Sequence, residues 1–137
     1  MAKKIQLEVV TPERLLVREA VDEVVAPGSE GEFGVLPGHC HFLSTLRIGE
    51  FRYRQGDQWH HLSVIWGYAQ VEPERVTVLA ELAERAEEID LSRAEAAARE
   101  AEAQLAASKK REEMEAARRQ LEKALLRLKM GRRGKVQ

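Results

Sequence analysis

From Glu81 to Met130 the chain contains neither glycine nor proline. Alanine, glutamate, arginine, leucine and lysine dominate that stretch, and these side chains give up the least on entering a helix. Before it, short runs rich in β-branched and aromatic residues are cut by turn residues at intervals of about 8–12 residues, the pattern of an antiparallel sandwich or barrel. One uniform fold cannot satisfy both patterns. They predict an α+β chain: an N-terminal antiparallel β-sandwich over residues 1–86, then a C-terminal two-helix hairpin over 87–137.

Within the first part, Ile5–Val10 opens with the period-two alternation of a half-buried strand and is interrupted at Thr11-Pro12-Glu13. Leu15–Val17, Val21–Ala26 and Phe42–Ile48 read as further strands, the last broken by Gly49. Glu50–Arg54 and Trp59–Ile65 form a hairpin around Gln55-Gly56-Asp57-Gln58. After Gly67, Tyr68–Glu72 and Arg75–Ala80 form another around Pro73-Glu74.

In the second part Asp90 is a candidate N-cap. Two stripes at alternating three-four spacing follow: Leu91, Ala94, Ala98, Ala101 and Leu105, then Met114, Ala117, Leu121, Ala124 and Leu128. The polar run Ser108–Glu113 between them predicts a turn, with Ser108 as a cap. A seam made largely of alanine lets helices approach closely but buries little, since burial contributes about 25 cal/mol per Å². Such a hairpin opens easily, and a single helix from Asp90 to Met130, roughly 60 Å long at 1.5 Å per residue, is the alternative. Gly131 is expected to stop the helix, leaving Arg132-Arg133-Gly134-Lys135 as a frayed tail.

Charge is graded along the chain. Residues 1–86 carry 9 basic and 13 acidic side chains, residues 87–108 carry 2 and 6, and residues 109–137 carry 11 and 4, making the C-terminal end a +7 pole. The overall net charge of −1 speaks against a general nucleic-acid binder. The single cysteine, Cys40, excludes an intrachain disulfide and suits a reducing compartment. No apolar run reaches the length of about eighteen residues that a membrane span needs. Met1-Ala2-Lys3-Lys4 lacks the apolar core of a signal peptide, so a cytosolic protein is expected.

Chemistry of its own has little support in the residues. No Ser-His-Asp or Cys-His-Asp grouping, phosphate loop or acidic dyad stands out. His39-Cys40-His41 and His60-His61 contain good zinc ligands, but no pair has zinc-finger spacing and Pro37-Gly38 precedes the first set, so no metal is expected. A stand-alone sandwich and coiled-coil module contacting acidic partners or nucleic acid is the alternative reading of the charges.

The stretch Gly28-Ser29-Glu30-Gly31-Glu32-Phe33-Gly34-Val35-Leu36-Pro37-Gly38-His39 holds four glycines and a proline in twelve residues. It predicts a fixed loop with a very short strand inside. This run resembles the signature G-x-G-E-x-G-[IV]-x-P-G-H of the epsilon subunit of bacterial F-type ATP synthases. Leu7–Leu16 is similar to that family's first strand and turn, and Val71–Asp90 to its last strands and the entry to its helical hairpin. One departure is local: Ile65-Trp66-Gly67-Tyr68 stands where the family usually has a Ser-Gly-Gly strand start.

The resemblance implies a non-catalytic rotor subunit on the cytoplasmic face of the bacterial plasma membrane, peripheral and reaching the membrane only through the complex. Its sandwich would bind the gamma subunit and rest on the c-subunit ring, with Glu32 and His39 as ring contacts. Its helices would extend toward the alpha/beta catalytic head and restrain ATP hydrolysis, with Lys109, Lys110, Arg111, Arg118, Arg119, Lys123 and Arg127 as basic contacts to an acidic segment of beta. No cofactor is expected beyond a regulatory ATP. Ile89-Asp90-Leu91-Ser92-Arg93-Ala94 matches the motif [IL]-D-x-x-R-A of members that bind ATP, which implies Glu84, Asp90, Arg93, Lys123 and Arg127 as nucleotide contacts. Capping by Asp90 and a surface pair at Arg93 explain the same residues.

Overall fold

The computed structural model describes residues 3–135. Its contacts divide the chain into two compact units, Met1–Glu84 and Arg85–Gln137. The first contains eight strands among the described residues: β1 (Ile5–Val10), β2 (Leu15–Val21), β3 (Glu23–Gly28), β4 (Gly31–Val35), β5 (Phe42–Leu46), β6 (Gly49–Gln55), β7 (Gln58–Val71) and β8 (Arg75–Arg85). They follow one hydrogen-bonded path, β2-β1-β8-β7-β5-β3-β4, with β6 bonded to both β3 and β7.

Alternation places the core. Ile5, Leu7 and Val9 of β1, Val24 and Ala26 of β3, Phe51 and Tyr53 of β6, Leu62 and Val64 of β7, and Val76, Val78, Ala80 and Ala83 of β8 pack into one buried cluster. The turns are pinned by side chains as well as by backbone. The Thr11 hydroxyl accepts from the backbone of Glu13 and Arg14 at 3.3 and 3.2 Å, which closes the β1–β2 turn. Asp22, between β2 and β3, accepts from Lys4 Nζ at 2.5 Å and from the backbone of Gly56 at 2.7 Å.

Both contacts favour the charged carboxylate, and the Lys4 bond is the largest cause of an Asp22 pKa held below the ordinary 3.8. A depressed aspartate contributes stability that is complete above its unfolded pKa and is lost as pH falls through the lower folded value. An NMR titration is expected to place the Asp22 midpoint below that of an ordinary aspartate. Lys4→Ala should move it back toward 3.8.

The strand pattern departs from the sequence expectation in four places. β1 and β8 pair in parallel, Gln6–Val10 against Arg75–Leu79, so the sandwich is antiparallel except where its first and last strands meet. No hairpin constrains that pair, because the whole sandwich separates them in sequence. Gly49 does not end a strand but begins β6. Trp59–Ile65 and Tyr68–Glu72 are not separate strands but parts of β7, which pairs with β6 up to Val64 and with β5 from Gly67 onward. The change of partner coincides with left-handed backbone at Trp66 (φ 45°) and positive φ at Gly67 (152°). Finally, β8 runs on through Glu81–Arg85, where the helix-forming composition has already begun. Val76, Val78 and Ala80 are buried at strand spacing, and the strand they establish runs on past Glu81 against local propensity, with Ala83 also buried.

In the second unit, a single 3₁₀ turn (Ala86–Glu88) leads to α1 (Leu91–Ala107) and α2 (Arg111–Lys135). Asp90 caps α1, its carboxylate accepting from the backbone of Arg93 at 3.2 Å. Ser108 closes the other end, its hydroxyl donating to the carbonyl of Gln104 at 2.5 Å. Glu112 and Glu113 lie in the first turn of α2, where negative charge complements the helix dipole.

The hairpin is folded. Ala94 and Ala98 meet Ala124 and Leu128, with Leu91 and Leu121 packed alongside. Toward the tip the seam thins, since Met114 is exposed and Leu105 only half-buried. Gly131 does not stop α2, and Arg132-Arg133-Gly134-Lys135 is its last turn rather than a frayed tail. Gly131 is buried against Ile89 and Leu91, so packing rather than chain termination explains the glycine.

Candidate functional site

Glycine placement builds the first candidate surface. Gly28 pairs with Gly31 across the β3–β4 turn, and Gly31 and Gly38 have φ of 136° and 88°, values that side chains resist. A Cβ on Gly28 would lie 2.7 Å from the carbonyl oxygen of Gly31. The loop is then tied down at both ends. Ser29 donates its backbone N–H to the Thr45 carbonyl at 2.9 Å, and the two hydroxyls are 2.6 Å apart. Gly38 donates to the carbonyl of Pro73 at 2.8 Å, fastening the loop to the β7–β8 turn. The expected fixed loop with a short strand inside is what the chain forms.

Glu32 sits on β4, and its carboxylate takes a two-pronged bond from Arg52 of β6, at 3.1 and 3.3 Å. Arg52 also donates to Glu50 at 3.4 Å and lies over the Trp59 ring, 5.8 Å from its centroid. Glu32 is therefore a held carboxylate, half-exposed at the edge of the sheet. Its partner was missed in the sequence. Alternation does put Glu50, Arg52 and Arg54 on one face of β6, but the register across β3 that brings Arg52 to Glu32 has no local signal.

His39 is half-buried in the loop after β4. Its Nδ1 is 3.1 Å from the Cys40 carbonyl, and its ring meets Phe42 edge-on at 5.3 Å. Phe42 in turn meets Phe33 at 5.1 Å. Ring contacts thus link His39 back to the residue beside Glu32. Leu36 and Leu43, exposed by 56% and 68%, add apolar surface on the flanking segments. A rigid loop that shows two polar groups beside two bare leucines is suited to contact another protein surface.

The second set of candidates is on the helices. Lys109 and Lys110 lie between α1 and α2, Arg111 opens α2, and Arg118 and Arg119 follow on its exposed side. Arg111 pairs with Glu115 at 3.3 Å. Lys123 and Arg127 are half-buried and one turn apart on α2. Asp90 and Arg93 are one turn apart at the start of α1, where the Asp90 carboxylate is engaged in capping. Glu84 is at the end of β8, in the first unit. Among the described residues no group of three or more His, Cys, Asp or Glu side chains is arranged to hold a metal ion.

The description of the ATP synthase delta/epsilon chain β-sandwich domain matches residues 4–86. The ATP synthase epsilon chain of Syntrophobacter fumaroxidans is 53% identical over 130 residues, which span 95% of this chain and 97% of that one. The chain belongs to the ATP synthase epsilon family. The epsilon chain of Geobacter metallireducens is 50% identical over 134 residues, 95% of each chain. Family membership makes the protein an epsilon-type subunit of the ATP synthase. The fold has a counterpart in the Euglena gracilis mitochondrial ATP synthase, with a TM-score of 0.80 at 23% identity, over 100% of this chain and 84% of that one. A second lies in the Tetrahymena thermophila mitochondrial enzyme, with a TM-score of 0.65 at 14% identity, over 95% and 99%. No described helix is long and apolar enough to cross a membrane.

Proposed function

We propose that this epsilon-family rotor subunit joins the gamma subunit to the c-subunit ring through its sandwich and restrains ATP hydrolysis through its helices, with no chemistry of its own. It acts on the cytoplasmic face of the bacterial membrane and reaches that membrane only through the complex. The display of Glu32 and His39 on one fastened loop carries the ring assignment. Arg52 holds the Glu32 carboxylate in place, and the loop's backbone is anchored to β5 and to the β7–β8 turn. Little conformational freedom remains to be lost when a neighbouring polar loop docks there. The basic pole of the helices supports contact with an acidic segment of the beta subunit, and a seam dominated by alanine lets the arm leave its folded state.

Cysteines at positions 32 and 39, in a chain whose natural Cys40 is replaced by serine, test the ring contact. In assembled enzyme both are expected to crosslink to ring loops. A cysteine at the exposed position Asp57, in the β6–β7 turn, serves as the distant control. Crosslinking at 57 but at neither 32 nor 39 would remove the assignment.

A further inference from the structure

Helix α2 carries Gly131 in its last two turns, although an interior glycine costs a helix roughly 1 kcal/mol relative to alanine. The surrounding atoms account for it. A Cβ at Gly131 would lie 2.8 Å from Cδ2 of Leu91, 3.0 Å from Cγ2 of Ile89 and 3.4 Å from Cβ of Ile89. Leu91 begins α1 and Ile89 immediately precedes its cap, so the bare backbone of α2 is what the base of α1 leans on. Beside it Met130 is fully buried with Ile89 and Ala86, and Leu126 packs against them. The bulkiest fully buried side chains of the second unit are therefore at the open end of the hairpin. Its seam is mostly methyl groups, Ala94, Ala98, Ala117 and Ala124, with Leu121 and Leu128 the larger side chains along it.

This distribution decides where opening is resisted. Parting the alanine seam exposes little apolar surface per turn, whereas parting the base exposes Ile89, Leu91 and Met130. We propose that Gly131 is the latch of the arm: its missing side chain lets the base of α1 seat on α2, and that contact sets the ratio of closed to open hairpin. The latch rests on the reading that the arm opens to restrain hydrolysis, and it concerns what controls that opening.

The test uses the full chain with Cys40→Ser and spin labels on cysteines placed at the exposed positions Glu95 of α1 and Leu125 of α2. In the closed hairpin the labelled helices are neighbours, with axes about 8–10 Å apart. In one extended helix the labelled positions are roughly 45 Å apart at 1.5 Å per residue. Distance distributions are recorded across a urea series, so that the opening midpoint is crossed for every variant.

Gly131→Ala is expected to raise the open-to-closed ratio on the order of tenfold, which corresponds to about 1.4 kcal/mol. Removing Leu91 Cδ2, the closest obstacle, should accommodate the new methyl. The pair Leu91→Ala with Gly131→Ala should then open less than the two single effects combined predict. An unchanged ratio, or a shift toward the closed form as helix propensity alone would give, overturns the latch. The inhibitory reading is decided separately, by ATP hydrolysis in enzyme assembled with the same variants. An arm that opens more while hydrolysis stays constant leaves the latch standing and removes that reading. A change in hydrolysis without a change in distance overturns the latch.

Discussion

Gly67→Ala is expected to be the most damaging single methyl that can be added to the sandwich. A Cβ at this position would lie 2.1 Å from the carbonyl oxygen of Leu79, 2.8 Å from the Cα of Ala80 and 3.0 Å from the Leu79 carbonyl carbon. All three are backbone atoms of β8, so no flexible side chain can swing aside, and φ at Gly67 is 152°, which alanine resists. Relief requires β7 and β8 to separate at the point where β7 changes partner from β6 to β5. Overpacking and backbone strain each cost about 1–3 kcal/mol. The sum lowers the melting temperature by more than about 10 °C, at roughly 4–8 °C per kcal/mol for a domain of this size.

Trp66→Gly, one residue away, makes the comparison. Trp66 adopts φ 45°, a left-handed conformation costing an ordinary residue about 1–2 kcal/mol. Glycine removes that strain while losing the half-buried ring, and the two effects oppose one another. Its melting temperature should therefore fall much less than that of Gly67→Ala. Equal shifts for both substitutions, followed by the near-UV circular dichroism of the aromatic core, would show that the corner is not held by close backbone approach.

That corner also marks the boundary of what the sequence made legible. Alternation in β1 and in the β6–β7 hairpin, the turn residues at Pro73-Glu74 and the cap at Asp90 are local signals, each decided within a few residues of chain. They gave the number and kind of the elements closely. The continuity of β7 was not legible, because Gly67 signals a break unless the backbone of β8 is known to lie against it. The parallel pairing of β1 with β8 joins the two ends of the sandwich, and no pattern in either strand specifies it. Gly131 misled for the same reason as Gly67: its close neighbours, Ile89 and Leu91, are some forty residues earlier in the chain. At the candidate ring contact, the loop's rigidity was legible from glycine and proline, whereas the Arg52 fork on Glu32 depends on strand register across β3.

The sandwich and the helices are also expected to divide the work, so that removing the arm releases hydrolysis without dismantling the rotor. The core cluster of the first unit takes its buried residues from all eight strands, between Ile5 and Ala83. A chain ending near Glu88 should therefore fold, join gamma and support coupled synthesis. It loses residues 89–137, which carry 13 basic and 8 acidic side chains, a net of +5, with the +7 pole concentrated after residue 108. A coupling between distant sites is typically about 1–3 kcal/mol, so ATP hydrolysis by the assembled enzyme should rise at least about fivefold. Neutralising Arg118, Arg119, Lys123 and Arg127 together with alanine should recover part of that rise, since alanine keeps helix propensity while removing charge. Arg118 and Arg119 are exposed, so any pair they form with beta would be solvent-screened and contribute only about 0–1 kcal/mol. Salt separates attraction from packing: charges screened over about 10 Å at 0.1 M lose their grip as ionic strength rises. Restraint by the natural arm should accordingly weaken with salt more than restraint by the neutralised one. Equal hydrolysis by truncated and full-length assemblies at every salt and nucleotide concentration would make the arm a brace, with its positive charge merely a solvated helix face.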